Sequence, residues 1–251
     1  MIEFKNLHKR FGEHVVLRGV DLTVAEGETL VLLGPSGTGK SVLLKHAVGL
    51  LDPDEGDVVV DGVSIARASA AELLAVRRRV GYVFQNAALF DSMTVLENLW
   101  LALDADEQHP RSVASCRDEA AALLERVNLD PVVLERRPGE LSGGMRKRVG
   151  VARAIASRPK YLLYDEPTTG LDPVNAEKID TLILELRQEL GVTGIVVTHD
   201  MESAFRVGDR IALLSEGRLR ACDTPAGILA SEDPVVRQFV SRGRAAWAGV
   251  A

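Results

Sequence analysis

The sequence predicts an α/β fold, and three observations carry that reading. The apolar run Thr29-Leu30-Val31-Leu32-Leu33 leads straight into Gly34-Pro35-Ser36-Gly37-Thr38-Gly39-Lys40-Ser41 and then into a helical stretch. Three more short apolar runs, Gly81-Tyr82-Val83-Phe84, Tyr161-Leu162-Leu163-Tyr164 and Gly194-Ile195-Val196-Val197-Thr198, run into polar side chains, as strands buried in a sheet do. Between them lie segments whose apolar spacing is helical. With 251 residues the chain is long enough for one large domain with a sizeable core.

Taken in order, residues 2–7 and 14–24 read as strands, the second with Val16, Leu17, Val20, Leu22 and Val24 in alternation. Residues 57–60 form a strand that enters a tight turn at Asp61-Gly62. A short helix is expected over 69–79, and a helical insertion over about 87–157 with a polar connection at 104–112. The helix after residue 172 obeys the boundary rules: Asp172 as N-cap, Pro173 in the first turn, a stripe of Ile179, Leu182, Ile183, Leu186 and Leu190, and Gly191 at its end. That stripe is core. Two short strands are expected over 210–222 and a last helix over 234–240, with 242–251 a loose tail that Trp247 anchors.

The segment from Gly34 to Ser41 fits G-x-x-x-x-G-K-[ST], and the strand before it and helix after it make it a phosphate cradle. Backbone N–H groups of the turn converge on the β-phosphate, the helix points its positive end there, Lys40 reaches the γ-phosphate, and Ser41 can ligate Mg²⁺. A second glycine pair occurs in Leu141-Ser142-Gly143-Gly144-Met145, opening a helix expected over 146–156. A serine and two glycines at a helix start form another anion-binding N-terminus. By itself this is equally a plain Ser-capped helix. Beside a complete phosphate cradle it makes sense if it serves a nucleotide held mainly by another copy of the chain.

The strand ends add chemistry. Residues 161–164 run into Asp165-Glu166-Pro167, whose acids suit Mg²⁺ and water while the proline stops the strand. Residues 194–198 end in His199-Asp200, and 81–84 end in Gln85.

With these residues in place, the chain resembles the ATP-binding-cassette (ABC) ATPase family over nearly its whole length. Gly34 to Ser41 looks like Walker A, Gln85 like the Q-loop glutamine, Leu141 to Met145 like the signature, Asp165 and Glu166 like the Walker B pair, Leu171-Asp172 like the D-loop and His199 like the switch histidine. Phe11 matches the aromatic that stacks on adenine. Met145 stands where glutamine is commoner, and Phe11 where tyrosine is frequent; neither change removes a phosphate contact or the stacking face. The resemblance implies a P-loop, RecA-like core (about 1–86 and 158–232) with an N-terminal antiparallel β subdomain and the helical insertion. Together these make one ABC ATPase domain over 1–242, with 233–251 as C-terminal helix and tail.

The same resemblance implies an Mg²⁺-dependent ATP hydrolase acting as a dimer with two ATP at its interface. Catalysis would fall to Glu166 and His199. Nucleotide binding would fall to Phe11, Gly34, Pro35, Ser36, Gly37, Thr38, Gly39, Lys40, Ser41 and Asp172, with Ser142, Gly143 and Gly144 acting in trans, and the metal to Ser41, Gln85 and Asp165. A narrower likeness, in the runs from Leu141 to Val149, Pro167 to Pro173 and Asp233 to Phe239, is to the ATPases of Mla-type phospholipid transporters. It implies integral membrane permeases, a small regulatory subunit and a lipid-binding MCE-domain protein as partners. The apolar residues Ala87, Ala88, Leu89, Phe90 and Met93 are then the expected permease seat. Another importer or exporter ATPase, or an ABC ATPase of a cytosolic assembly machine such as iron–sulfur biogenesis, is the alternative.

Composition bounds the rest. Asp and Glu number 36 against 30 Lys and Arg, which disfavours a broad electrostatic grip on nucleic acid. Cys116 and Cys222 read as reduced cytosolic thiols. No run approaches the ~18–20 apolar residues of a membrane helix, so the chain is expected in the cytosol, peripheral on the inner face of the cell membrane. A DNA-organising ATPase would need a long coiled coil between residues 41 and 160, and no sustained heptads occur there.

Overall fold

The computed structural model describes residues 1–104 and 110–248, with side chains described as far as Ser241. A four-stranded antiparallel sheet comes first: β1 (Ile2–Phe11), β2 (His14–Val24), β4 (Glu55–Val60) and β5 (Val63–Ser64), in the order β2-β1-β4-β5. β1 runs on past residue 7 to Phe11 because His14 pairs with Phe11 across a two-residue turn. Asp61 and Gly62 both take positive φ, 49° and 84°, as the expected Asp-Gly hairpin turn requires.

The second sheet has six strands in the order β10-β9-β3-β8-β7-β6. These are β3 (Thr29–Leu33), β6 (Val80–Val83), β7 (Tyr161–Asp165), β8 (Thr193–Thr198), β9 (Arg210–Ser215) and β10 (Arg218–Asp223). All pairings are parallel except β9–β10. Every residue of β3, β7 and β8 is buried, as expected of a parallel sheet covered on both faces.

The two-residue period of a strand assigns those side chains to two cores. Val31, Leu33, Leu162, Tyr164, Val196, Ile211 and Leu213 face the helical layer, built from the insertion and α6 (Pro173–Leu190) and α7 (Met201–Val207). Leu30, Leu32, Tyr161, Leu163, Ile195, Val197, Ala212 and Leu214 face the antiparallel sheet and α1 (Lys40–His46). Full burial of each such side chain contributes about 1.5–3 kcal/mol.

The segment over 87–157 contains α3 (Val95–Leu103), α4 (Arg117–Arg126) and α5 (Gly143–Ile155), with short 3₁₀ turns between them. α5 begins three residues earlier than expected, since the Ser142 hydroxyl accepts the Met145 N–H at 3.2 Å and both glycines lie inside the first turn. Part of the 104–112 connection, residues 105–109, lies outside the described residues. Its ends are tied: Trp100 Nε1 donates to the Arg111 carbonyl at 2.7 Å, and Arg111 N–H to Asp104 at 2.5 Å.

α2 (Ala70–Arg77) carries a Ser69–Glu72 capping box, and α6 is bounded by Asp172 and Gly191 as expected. Two short helices were not anticipated: α7, capped by Asp200, and α8 (Pro225–Ala230), capped by Thr224. α9 (Pro234–Ala248) corrects the loose tail, continuing through an Arg- and Ala-rich stretch of good helix formers. The Trp247 side chain lies outside the described residues. Among the described residues no helix is long and apolar enough to cross a membrane.

One buried carboxyl bears on stability. Asp180 on α6 is 2% exposed, accepts the Ser203 hydroxyl at 2.5 Å and lies 3.7 Å from Arg206. Burial pushes its pKa up to about 6, against the lowering effect of Ser203 and Arg206. The folded state therefore holds this proton more tightly than the unfolded chain, and stability falls as pH rises from the ordinary carboxylate range through 6. Asp180→Asn should accordingly gain on wild type between about pH 4 and 7, by at most about 3 kcal/mol. Thermal melts of both proteins across that range test it; a constant difference would refute it.

Candidate active site

The strand order explains why residues scattered through the chain meet. β3, β8, β7 and β6 are parallel neighbours, so their carboxyl ends open along one edge of the sheet. There β3 delivers Gly34 to Ser41, β8 delivers His199, β7 delivers Asp165 and Glu166, and β6 delivers Gln85. A cleft of about 460 Å³ at this edge is lined by Phe11, Val16, Ser36, Gly37, Gly39, Lys40, Ser41, Gln85, Glu166, Thr169 and His199, among others. A larger groove of about 660 Å³ continues across the phosphate loop between β2 and the β9–β10 turn. Glu166, the buried lysine and His199 line the smaller one, and Asp165 is joined to it through Ser41.

The phosphate loop is set by close backbone contacts. At Gly34, with φ of 150°, a Cβ would lie 2.2 Å from the Leu214 carbonyl oxygen, and at Gly39, with φ of 100°, 2.8 Å from Val16 Cγ1. No other residue fits there. Lys40 is 4% exposed and folds back on its own loop, donating to the Gly34 and Pro35 carbonyls at 2.7 and 2.9 Å. Burial lowers its pKa, and Glu166, 3.7 Å away, and Asp165 counter that.

Glu166 is 9% exposed. Its Oε2 accepts the Thr169 hydroxyl at 2.9 Å and lies 2.8 Å from His199 Nδ1. A carboxylate only accepts, so this contact places the hydrogen on Nδ1. The Glu166 backbone has φ of 50°, a conformation rare for a residue with a side chain and doubly restricted ahead of Pro167. Such strain persists only where neighbours over-determine it. The Glu166 N–H donates to the Val197 carbonyl at 2.9 Å, and Lys147 Nζ donates to the Glu166 carbonyl at 3.2 Å.

Asp165 Oδ1 accepts the Ser41 hydroxyl at 2.5 Å and Oδ2 accepts the Tyr82 hydroxyl at 3.1 Å. Burial first, then the Asp165 charge, raises the Tyr82 pKa. Ser41 and Asp165, with Gln85 on the same cleft, form an all-oxygen donor set with a single carboxylate. That sparse set fits Mg²⁺, which keeps waters and shares nucleotide phosphates.

Phe11 sits half-exposed at the cleft, with Lys9 Nζ 5.6 Å from its ring centre. Ser142, Gly143, Gly144 and Asp172 are not brought to this cleft. A Cβ at Gly143 would lie 3.6 Å from Leu171 Cδ2, and one at Gly144 3.4 Å from Asn175 Oδ1, so the start of α5 packs on the start of α6. Asp172 caps α6, accepting the Asn175 N–H at 3.0 Å and its side-chain amide at 2.6 Å. Ala87 is core, at 2% exposure beneath Gly150, whereas Phe90 and Ala88 face outward.

Thr169, Tyr82 and Lys147 were missed by sequence reasoning. Thr169 follows Glu166 by three residues and Tyr82 alternates with Phe84, faint local signals at best. Lys147 comes from a different element, and no local pattern announces it.

The ABC transporter family model matches residues 17–169. The chain belongs to the ABC transporter family. It is that family's ATP-binding subunit, a transport ATPase. Over 243 residues, 97% of this chain and 69% of the relative, it is 40% identical to the "Probable ribonucleotide transport ATP-binding protein mkl" of Mycobacterium leprae. It is 42% identical over 228 residues, 90% of this chain and 63% of the relative, to the sulfate/thiosulfate import ATP-binding protein CysA of Burkholderia mallei. Among solved structures, the dimeric post-hydrolysis state of the ATP-binding cassette MJ0796, bound to ADP and Pi, superposes with TM-score 0.81 at 36% identity, over 89% of this chain and 98% of that one. A cbiO1 structure from Clostridium perfringens gives TM-score 0.80 at 28% identity, over 96% of this chain and 94% of that one.

Proposed function

We propose that this ABC ATPase hydrolyses ATP at sites shared between two copies of the chain and thereby drives a separate membrane permease that moves phospholipid. The observation that supports the chemistry best is the meeting of Lys40, Asp165, Glu166 and His199 at one sheet edge. Lys40 leaves its loop carbonyls for the β- and γ-phosphates, while the loop N–H groups bind the β-phosphate. Ser41, Asp165 and Gln85 would hold Mg²⁺, which when bound would supply charge neutralisation at the phosphates. Glu166 polarises the attacking water. As the new P–O bond forms, the bond to the β–γ bridging oxygen breaks, leaving ADP and phosphate. His199, oriented by Glu166, holds the γ-phosphate and the water in line.

Ser142, Gly143 and Gly144 serve the nucleotide of the second copy, and Asp172 contributes to nucleotide binding. Phe11 stacks on the base. Phe11→Ala should therefore raise the KM for ATP by about tenfold or more with little change in kcat, base stacking being worth about 1–3 kcal/mol. An ATP titration of steady-state phosphate release checks this, and an unchanged KM would remove Phe11 from the site.

The phospholipid reading is supported by the signature run from Leu141 to Val149 with Met145 in place of glutamine, and by the segments from Pro167 to Pro173 and Asp233 to Phe239, which resemble Mla-type ATPases. The outward Phe90, with Ala88 and the half-buried Phe84, Leu89 and Met93, offers the apolar seat for a permease's cytoplasmic helix. A small regulatory subunit and a lipid-binding MCE protein complete the assembly, with this ATPase peripheral on the cytoplasmic face of the membrane. The similarity to a ribonucleotide transport protein supports a second reading. The test is to identify the membrane protein that co-purifies in mild detergent and to assay the complex in vesicles. ATPase activity that responds to phospholipid supports the proposal, and a response to ribonucleotides instead overturns it.

A further inference from the structure

Lys147 has no place in the chemistry so far, yet it is 7% exposed and lies one turn into α5. An ammonium has three donors, and among the described residues this one has a single hydrogen-bond acceptor: the main-chain carbonyl of Glu166, at 3.2 Å. Holding a charge out of water with one bond is costly unless the contact is needed. The carbonyl it holds belongs to the left-handed residue ahead of Pro167.

We propose that Lys147 is a positioning residue for hydrolysis, holding the Glu166 peptide so that the carboxylate points at the attacking water. Five residues define the Glu166 geometry. Val197 fixes its N–H, Thr169, His199 and Lys40 its carboxylate, and Lys147 its carbonyl, which also accepts the Thr169 N–H at a longer 3.3 Å. Four of these belong to the sheet edge, the Gly34–Ser41 loop or the loop after β7. Lys147 alone comes from the insertion. A left-handed, pre-proline residue relaxes by rotating its peptide, and the charge-assisted bond from Lys147 opposes that rotation. Burial lowers the Lys147 pKa, and the Glu166 charge counters part of that. Because α5 also starts at Ser142, the helix offered to the second copy's nucleotide is tied to the water-polarising residue of its own chain. A shift of α5 is then felt at Glu166.

This inference rests on Glu166 as the water-polarising group, so Glu166→Gln is measured in parallel. Lys147→Met keeps the length and apolar stem and removes the charge and the bond. Displacement of a reacting group by even an ångström can cost about 100-fold, so kcat should fall roughly 10- to 100-fold. ATP affinity by calorimetry should stay within about threefold of wild type, as expected for a loss confined to the transition state. Lys147→Arg, which keeps charge and donors, should restore most of the rate. Melting curves keep the comparison to folded protein.

A wild-type kcat for Lys147→Met beside an inactive Glu166→Gln would overturn the positioning role alone. Affinity that falls in step with kcat, or an Arg variant as slow as the Met variant, would also overturn it, leaving Lys147 a packing residue. An active Glu166→Gln would instead remove the reading on which the inference rests.

Discussion

Glu166→Gln is expected to bind ATP and Mg²⁺ nearly as wild type and to lose turnover by a factor on the order of 10²–10⁴, the usual worth of a positioned general base. The amide has the shape of the carboxylate and its oxygen still accepts the Thr169 hydroxyl, which lies 2.9 Å away in the native protein. What disappears is negative charge beside the water, together with the ion pair to Lys40 at 3.7 Å. Binding and chemistry should therefore separate: the variant accumulates as an ATP-bound dimer because the nucleotide that joins two copies is not cleaved. Phosphate release measured beside molar mass by light scattering checks both halves. Near-normal hydrolysis would take Glu166 out of its role.

The second large effect concerns complementation between copies. Lys40→Ala should lower ATP affinity, since a charged contact to the phosphates is lost and the buried pocket that held the ammonium stays. Ser142→Arg should leave the phosphate cradle intact but spoil the start of α5, at the cost of an N-cap worth about 1 kcal/mol. Each variant alone should be almost inactive. Mixed, they form heterodimers with one sound composite site and one carrying both lesions, and ATPase activity or ATP-dependent pairing should return above either alone. A cysteine at position 142 and one near Ser36 supply the geometric test. Disulfide crosslinks formed with ATP should join two chains, and exclusively intramolecular crosslinks would defeat the head-to-tail arrangement.

Much of this molecule can be read without coordinates where the controlling interactions are local. The boundaries of α6 follow from Asp172, Pro173 and Gly191, and the β4–β5 hairpin from Asp61-Gly62, because caps and tight turns depend on backbone groups within four residues. The helix starting at Ser142 is similarly local, although both glycines are helical instead of preceding the helix. α7 and α8 were missed because seven and six residues are too few to establish a period. The 242–248 stretch reads as loose for want of a stripe, and continues α9 because Arg and Ala favour it.

By itself the sequence determined that Gly34–Ser41 joins a strand to a helix, that Asp165, Glu166 and His199 stand at strand ends, and the order of the main strands along the chain, since strand, glycine turn and helix are encoded by neighbours. Only the tertiary structure decided which strands lie side by side, and so that Glu166 meets His199 from 33 residues away and Ser41 meets Asp165 from 124. It alone decided that Ala87 is core, that Lys40 rests on its own loop, and that Lys147 supports the Glu166 carbonyl. These contacts arise from packing elements far apart in the chain, whose pairing is set by summed burial across two cores and leaves no mark in any short window of residues.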